Sequence, residues 1–220
     1  MLQNLIFVSV TFAPNRVKMK KNRFYIAFFA ILVVVFYFVL SSNIPDFSKK
    51  KVAPISYVRP FNFIDQDGRP FTQENVAGKV YVAEYFFTTC KGICPIMNNN
   101  LKSVYQEMKN EKDFMILSHT CDPEIDSAAK LKWYSDSLGV SGSNWVFLTG
   151  RKDSLYKAAR VSYVIDDPKN NLVSIEDDFL HTQFWALVDR KGDVIRIYDG
   201  LKESQVSALV SDAKKLLKEK

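Results

Sequence analysis

Cysteine and histidine are scarce in this sequence, with three cysteines and two histidines among 220 residues. An odd number of cysteines, with Cys90 and Cys94 close together, argues against a scaffold stapled by disulfides and favours a redox or metal site. Apolar and charged residues are not scarce, at 47% and 25% of the chain. That balance excludes a disordered or collagen-like chain.

An excess of positive charge is missing from most of the chain, although the formal net charge is +6. Residues 1–50 hold seven basic residues and one acidic residue, whereas residues 51–220 hold 23 of each. A nucleic-acid-binding protein needs its lysines and arginines on the folded part that meets the phosphates. Because the larger part of the chain is neutral, we predict no nucleic-acid partner.

Charge, glycine and proline are all absent from the 17 residues 24–40. A helix over these residues is about 26 Å long, which is near the lower limit for crossing a bilayer. Basic residues crowd its N-terminal side, so the positive-inside rule places residues 1–23 in the cytoplasm. We predict a single-pass anchor in the inner (cytoplasmic) membrane, with the domain in the periplasm or outside. A cleaved signal peptide is the alternative.

Two shorter segments flank this run. Met19 precedes Lys-Lys-Asn-Arg, which is typical of the start of a signal anchor, so our hypothesis is that translation begins at Met19. Residues 41–56 contain serine, proline and three consecutive lysines ending at Lys51, the composition of a linker. Residues 57–220 then have the size of one domain.

Alternating strand and helix patterns fill this domain. Residues 79–87 are β-branched and aromatic, too apolar for a half-exposed strand, and predict a central strand. A turn at 65–70 lies between two short extended pieces, further strands are predicted at 114–118, 145–148, 184–188 and 194–198, and helices at 95–109, 127–138, 153–160 and 204–217. The order predicts an α/β fold whose central mixed sheet has helices on both faces and an antiparallel pair at one side.

Cys90 and Cys94 lie where the central strand gives way to a helix, the end at which open α/β sheets place their sites. If Cys94 opens the helix, the helix dipole favours its thiolate, and Lys91 adds a cation. Pro95 then falls in the first turn, where its missing N–H costs nothing. The two thiols are able to close a disulfide or to bind a soft metal. Their separation by three residues rather than two favours the metal.

A metal site of this kind needs a third ligand, and only two histidines are available. His181 precedes the predicted hairpin, a position that packs beside the junction of the central strand and its helix. Two thiolates and one imidazole suit Cu(I) or Cu(II), with Zn(II) as the common competitor.

Four motifs in order resemble the Sco (SCO1/SenC) family of copper chaperones. They are Thr-Cys-x-x-x-Cys-Pro after an apolar strand, Cys-Asp-Pro-Glu-Ile-Asp at 121–126, Phe-Leu-Thr-Gly from 147, and Asp-Phe-Leu-His-Thr from 178. The similarity in order and spacing runs from about Phe61 to the C-terminus.

The resemblance implies a membrane-anchored, thioredoxin-like domain that binds copper through Cys90, Cys94 and His181. It implies a role in assembling the binuclear copper site of cytochrome c oxidase. The partner would then be a copper-accepting apoprotein, cytochrome c oxidase subunit II. The alternative is a thiol–disulfide oxidoreductase of thioredoxin or peroxiredoxin type that uses the same cysteine pair. A redox-sensing or signalling module at the membrane is a third class.

Two residues depart from the family pattern. Cys121 replaces an apolar residue and is predicted to be buried, and Leu180 replaces an acidic residue that often precedes the histidine. For His119 we predict a surface position or a supporting role near the site. Asp122 and Asp126 are predicted to cap the second helix or form its preceding turn, with a supporting role in the site as a further option for Asp122.

Overall fold

The computed structural model describes residues 16–43, 53–140, 144–166 and 178–219. The chain divides into two compact units, Met1–Lys51 and Val52–Lys220. The lysine run of the predicted linker lies outside the described residues.

In the described part of the first unit, residues 16–43, the chain forms a helix, α1, over Arg16–Asn43. Its stretch Asn22–Ser42 has a mean hydropathy of 2.6 and none of it is buried. These 21 residues are long and apolar enough to cross a membrane, judged by length and composition. The start of translation at Met19 stays a prediction.

The second unit contains an eight-stranded mixed sheet. Its strands are β1 (Ser56–Tyr57), β2 (Asn62–Asp65), β3 (Pro70–Thr72), β4 (Val80–Phe86), β5 (Phe114–Thr120), β6 (Trp145–Thr149), β7 (Phe184–Val188) and β8 (Asp193–Asp199), in the order β1-β8-β7-β4-β5-β6-β2-β3. β4, β5 and β6 are parallel, and antiparallel strands extend the sheet on both sides. The predicted antiparallel pair at one side is confirmed as β7 and β8, but the sequence pattern missed the pairing of β2 with β6 at the other.

Helices cover both faces of the sheet, as predicted. They are α2 (Cys94–Met108), α3 (Ala128–Leu138), α4 (Lys152–Lys157) and α5 (Glu203–Lys218). Apolar side chains of α2, α3 and α5 share one buried cluster with β4 and β5, whereas α4 packs into a second cluster on the opposite face. Burial of β4 on both faces explains why its sequence is a continuous apolar run instead of an alternating one.

Two helices differ in detail from the prediction. Ser127 caps α3, with its hydroxyl accepting from the amide of Lys130 at 3.4 Å, so the assignment of Asp122 or Asp126 as the cap is wrong. The helix predicted over 153–160 is α-helical only as far as Lys157. The chain then forms a π-helical turn over Ala158–Ser162. Such turns insert one residue into a helix and redirect the chain that follows.

The parallel register of β4 and β5 determines which loops meet. Phe86 pairs with Thr120 at the carboxyl ends of the two strands, and the amide of Cys121 donates to the carbonyl of Phe86 at 2.7 Å. The loop carrying Cys90 therefore lies beside the loop that begins at Cys121.

Candidate metal centre

Residues 87–93 connect β4 to α2 and carry the first cysteine of the pair. Cys90 is half-buried in this loop, and Cys94 is the buried first residue of α2, with Pro95 in the first turn as predicted. Both thiols are free, and they lie near enough for each to shift the pKa of the other. The amide of Cys90 donates to the carbonyl of Phe87 at 3.2 Å, which makes a turn in the loop just before the helix.

The two thiols have opposite pKa shifts. Burial by itself raises the pKa of Cys90, but hydrogen bonds from the Cys94 thiol and from the backbone of Gly92, Ile93 and Cys94 outweigh it, and the pKa falls below its ordinary value. Burial raises the pKa of Cys94 to about 12, and its hydrogen bond to Cys90 adds to the effect. The prediction that the helix dipole favours thiolate at Cys94 is therefore wrong, since the backbone groups of Gly92, Ile93 and Cys94, just before and at the start of α2, lower the pKa of Cys90 instead.

Asp126 anchors the loop between β4 and α2 through hydrogen bonds. Its fully buried carboxylate accepts from the Thr88 amide at 3.0 Å, from the Thr88 hydroxyl and from the Thr120 hydroxyl at 2.8 Å. The ammonium group of Lys130 lies 3.5 Å from the same carboxylate. Asp126 thus joins the end of β5 to the residues just before Cys90, a role that the sequence analysis missed.

His181 is exposed and lies beside Phe87, although Leu180 next to it is buried. Its ring centroid is 6.0 Å from that of Phe87 and 4.6 Å from that of Phe179. Phe87 is the first residue of the loop that carries Cys90, and its ring packs against His181, so it links the histidine to that loop. In the part of the chain that the structure describes, no three histidine, cysteine or acidic side chains form a ready-made metal cluster. The structure thus brings Cys90 and Cys94 together and leaves His181 nearby but outside their group.

His119 is fully buried, so the prediction of a surface position is wrong. Its ring stacks on Tyr85 with centroids 4.8 Å apart and meets the edge of Phe63 at 5.5 Å. Its Nδ1 lies 3.2 Å from the carbonyl oxygen of Glu84, and its Nε2 lies 3.4 Å from the Tyr163 hydroxyl. Burial lowers the pKa of His119 to about 4. His119 is a core residue on the face of the sheet opposite α2.

Cys121 is buried in that same core, as predicted. Burial raises the pKa of its thiol well above the ordinary value. Asp122 contributes its main chain to the following turn, where its carbonyl accepts from the Asp126 amide at 2.8 Å and its amide donates to Thr120 at 2.9 Å.

Glu84 is a buried acid in the middle of β4 that the sequence analysis absorbed into an apolar run. Its carboxyl group accepts from the Ser118 hydroxyl, which in turn accepts from the indole of Trp145 at 2.8 Å. Burial raises the pKa of Glu84 to about 8. The only sequence signal was the charge itself, in a strand where every other residue is apolar.

The parallel core of β4, β5 and β6, the flanking helices and a thiol pair at the start of α2 define a class, the thioredoxin-like proteins with a redox- or metal-active cysteine pair. Within that class the family model for SCO1/SenC matches residues 49–218. The SCO1 protein homolog of Bacillus subtilis is 32% identical over 166 residues, which are 73% of this chain and 83% of that protein. The chain belongs to the SCO1/SenC family.

Solved structures agree with this assignment. A SCO1/SenC family lipoprotein from Bacillus anthracis superposes with a TM-score of 0.64 at 29% identity, covering 74% of this chain and 96% of that one. Yeast Sco1 with copper bound superposes with a TM-score of 0.54 at 27% identity, covering 74% and 95%. The predicted thioredoxin-like fold is confirmed.

Proposed function

We propose that this protein is a membrane-anchored copper-binding protein that assists assembly of the binuclear copper site of cytochrome c oxidase. Copper is its cargo, held by the thiolates of Cys90 and Cys94 and the imidazole of His181. The recipient is a copper-accepting apoprotein, cytochrome c oxidase subunit II. Family membership and the copper-bound yeast relative support the metal.

The observation that carries the proposal is the pair of free, neighbouring thiols at Cys90 and Cys94, at the start of α2. Two soft sulfur donors side by side are the ligand set that Cu(I) prefers, and Zn(II) is the competitor that the same donors accept. The half-exposed Cys90 offers a recipient access to the metal, whereas the buried Cys94 holds it from the protein side.

His181 suits the third position because of where it lies. It is exposed, and its ring packs against Phe87 of the cysteine loop. Because the described side chains form no complete metal cluster, copper would complete the site by drawing His181 toward the thiols. A ligand recruited last is also one that can leave first, which favours ligand exchange with a recipient.

Titration of the reduced full-length protein with Cu(I) and Cu(II) tests the proposal. We expect one copper per chain and a thiolate-to-copper charge-transfer band in the Cu(II) form. Cys90→Ser and Cys94→Ser should each abolish the band, and His181→Ala should weaken binding. Cys121→Ser is the matched control, since it removes a buried thiol outside the pair and should leave binding intact. Copper affinity unchanged in either Cys90→Ser or His181→Ala would refute the ligand assignment.

A second function is favoured by the opposite pKa shifts of the two thiols. A thiol–disulfide oxidoreductase needs one accessible thiolate and one protected thiol. The Cys90 thiolate would attack a client disulfide, forming a mixed disulfide and releasing one client thiolate. Cys94, on losing its proton, would then attack the Cys90 sulfur, releasing the second client thiolate and leaving the pair oxidised by two electrons.

The two functions differ in what they require. Reduction of a client disulfide needs Cys90 and Cys94 and is indifferent to His181, whereas copper binding needs all three. Measuring both activities in His181→Ala separates them. Loss of copper binding with full reductase activity would assign the histidine to the metal alone.

A further inference from the structure

Arg160 is a buried arginine whose guanidinium group bridges two acids. Its Nη1 and Nη2 donate to the two carboxylate oxygens of Asp178 at 2.6 and 3.1 Å, and its Nε donates to Asp166 at 2.7 Å. The side chains of all three residues are at most 6% exposed. The guanidinium also lies 5.4 Å from the ring centroid of Tyr156. Arg160 itself belongs to the π-helical turn Ala158–Ser162.

These contacts converge on the residues just before His181. Asp178 is three positions before it, and the amide of Leu180 donates to the Tyr156 hydroxyl at 3.2 Å. The same hydroxyl donates to the carbonyl of Cys121 at 2.8 Å, at the end of β5. The residues that precede His181 are therefore held by contacts to the π-helical turn and to the loop that adjoins the cysteine pair.

The residues just after His181 are anchored to the segment that follows the π-helical turn. The hydroxyl of Thr182 donates to the carbonyl of Ile165 at 2.6 Å and accepts from the amide of Phe184 at 3.2 Å. Leu180 is buried, whereas His181 between these anchors is exposed. The backbone is thus held on both sides of a histidine whose ring rests against Phe87 and Phe179.

We propose that Arg160 is a positioning residue for His181, acting through its bidentate pair with Asp178 so that the imidazole is presented to Cys90 and Cys94. The inference rests on the proposed copper site. Leu180, the residue before the histidine, is apolar and buried, so its side chain offers the imidazole no hydrogen bond and the position of His181 depends on its main-chain anchors.

The chemistry of the pair supports a role in geometry. A buried ion pair adds little net stability, because desolvating the charges offsets their attraction. What a bidentate arginine–carboxylate pair does provide is a fixed relative orientation of the two groups. A contact that only stabilised the fold would not need the guanidinium and the carboxylate to lie in one plane.

A double-mutant cycle on the reduced full-length protein in detergent tests the proposal, with copper as the probe. Arg160→Gln should weaken copper binding by about 10–100-fold, the usual effect of losing a group that orients a ligand. It should also remove the nitrogen hyperfine coupling of His181 from the Cu(II) spectrum while keeping the thiolate band. Adding Arg160→Gln to His181→Ala should cause no further loss.

A measurement without metal gives an independent readout. In Arg160→Gln, amide hydrogen exchange over residues 178–182 should accelerate, while exchange in β4 and β5 stays unchanged. Arg190→Gln is the matched control, since Arg190 bridges Gly78, Asp113 and Leu217 at the opposite end of β4. The control should leave the copper affinity and exchange at 178–182 at wild-type values.

The outcomes are distinguishable. Wild-type affinity and nitrogen coupling in Arg160→Gln would overturn the inference, and so would a loss in Arg160→Gln that persists at full size in the His181→Ala background. If His181→Ala itself binds copper as the wild type does, the proposed function fails instead. Should Arg160→Gln not fold, Asp178→Asn breaks the same bidentate pair from its other side and carries the same cycle with the same expected and contrary results.

Discussion

The thiols of Cys90 and Cys94 have opposite pKa shifts although the two residues are only four positions apart. The backbone groups of Gly92, Ile93 and Cys94 hydrogen-bond to the sulfur of Cys90, whereas the sulfur of Cys94 is enclosed by the core beneath the helix. The residue that opens the helix is thus not the one stabilised as an anion. The unsatisfied N–H groups around the start of a helix are available to a cysteine of the preceding loop.

His119 gives a pH prediction that can be checked residue by residue. Its Nδ1 faces a carbonyl oxygen, so Nδ1 carries the proton and Nε2 accepts from Tyr163. With a pKa of about 4, the folded protein leaves His119 neutral between pH 4 and 6.5 while the unfolded chain takes up a proton. Stability should therefore fall as the pH drops through that window, by an amount on the order of 3 kcal/mol.

Nuclear magnetic resonance and unfolding measurements test this together. The chain has two histidines, so the imidazole signals are readily assigned with His181→Ala, and the His119 signal should keep its neutral Nδ1–H pattern down to about pH 5. His119→Phe should remove the His119 part of the acid destabilisation. The comparison must be with wild type, because Glu84, whose pKa is raised to about 8, contributes in the opposite sense as the pH falls. Equal pH dependence in both proteins would contradict the prediction.

Residue types alone explain why the cysteines could be predicted and His119 and Asp126 could not. Two nearby cysteines followed by proline have few structural roles. A histidine at a strand end and an aspartate before a helix are both common at surfaces. What buries His119 is the row of rings around it, from Phe63, Tyr85 and Tyr163, which come from distant parts of the chain.

At the scale of elements, the loop between β4 and α2 depends on a single carboxylate. Asp126→Ala should destabilise the domain by about 2–4 kcal/mol, because it leaves the Thr88 amide and two hydroxyls without their charged acceptor. Urea unfolding measures the loss, and the alkylation rate of Cys90 should rise as the loop loosens. Asp122→Ala is the control, since Asp122 contributes main-chain contacts to the same turn. A similar loss of stability in Asp126→Ala and Asp122→Ala would show that the Asp126 carboxylate does not specifically stabilise this loop.

The connection from β8 to α5 passes close to a buried tryptophan. A Cβ atom at Gly200 would lie 2.5 Å from Cε2 of Trp185, whose side chain is fully buried. Gly200→Ala should therefore cost about 1–3 kcal/mol as the packed indole is displaced. Thermal unfolding gives the measure, with Gly92→Ala as the control because a Cβ there meets nothing within 4 Å. Wild-type stability in Gly200→Ala would mean that the indole can move.

Elements with a strong local pattern were predictable and elements that depend on distant pairing were not. The apolar run of β4 and the turn between β7 and β8 are visible in the sequence, and both are correct. The pairing of β2 with β6 joins residues far apart in the chain, and no local pattern encodes it. The π-helical turn after Lys157 changes the hydrogen-bond pattern without changing composition, so it reads as ordinary helix.

At the scale of the whole molecule, the distribution of charge takes on a specific meaning. The excess of basic residues lies within residues 1–50, mostly in the first turns of α1, and residues 51–220 are neutral. A whole-chain value of +6 would suggest an acidic partner, yet residues 51–220, which carry the thiols, have no net charge with which to attract one. Under the proposed function, recognition of a recipient would then depend on short-range contacts around Cys90 and His181.

The proposed orientation, with the N-terminus in the cytoplasm and the thiols across the membrane, can be tested with the protein's own cysteines. Cys90 is the half-exposed thiol, whereas Cys94 and Cys121 are buried. In spheroplasts of a bacterial host, a membrane-impermeant maleimide should label the wild-type protein and fail to label Cys90→Ser. In the Cys90→Ser background, Asn22→Cys should be labelled only after the membrane is permeabilised, because the positive-inside rule predicts that the basic residues around it keep that end on the cytoplasmic side. Labelling of Asn22→Cys in intact spheroplasts, with Cys90 protected, would reverse the topology and remove the thiol pair from the compartment in which a recipient of copper would meet it.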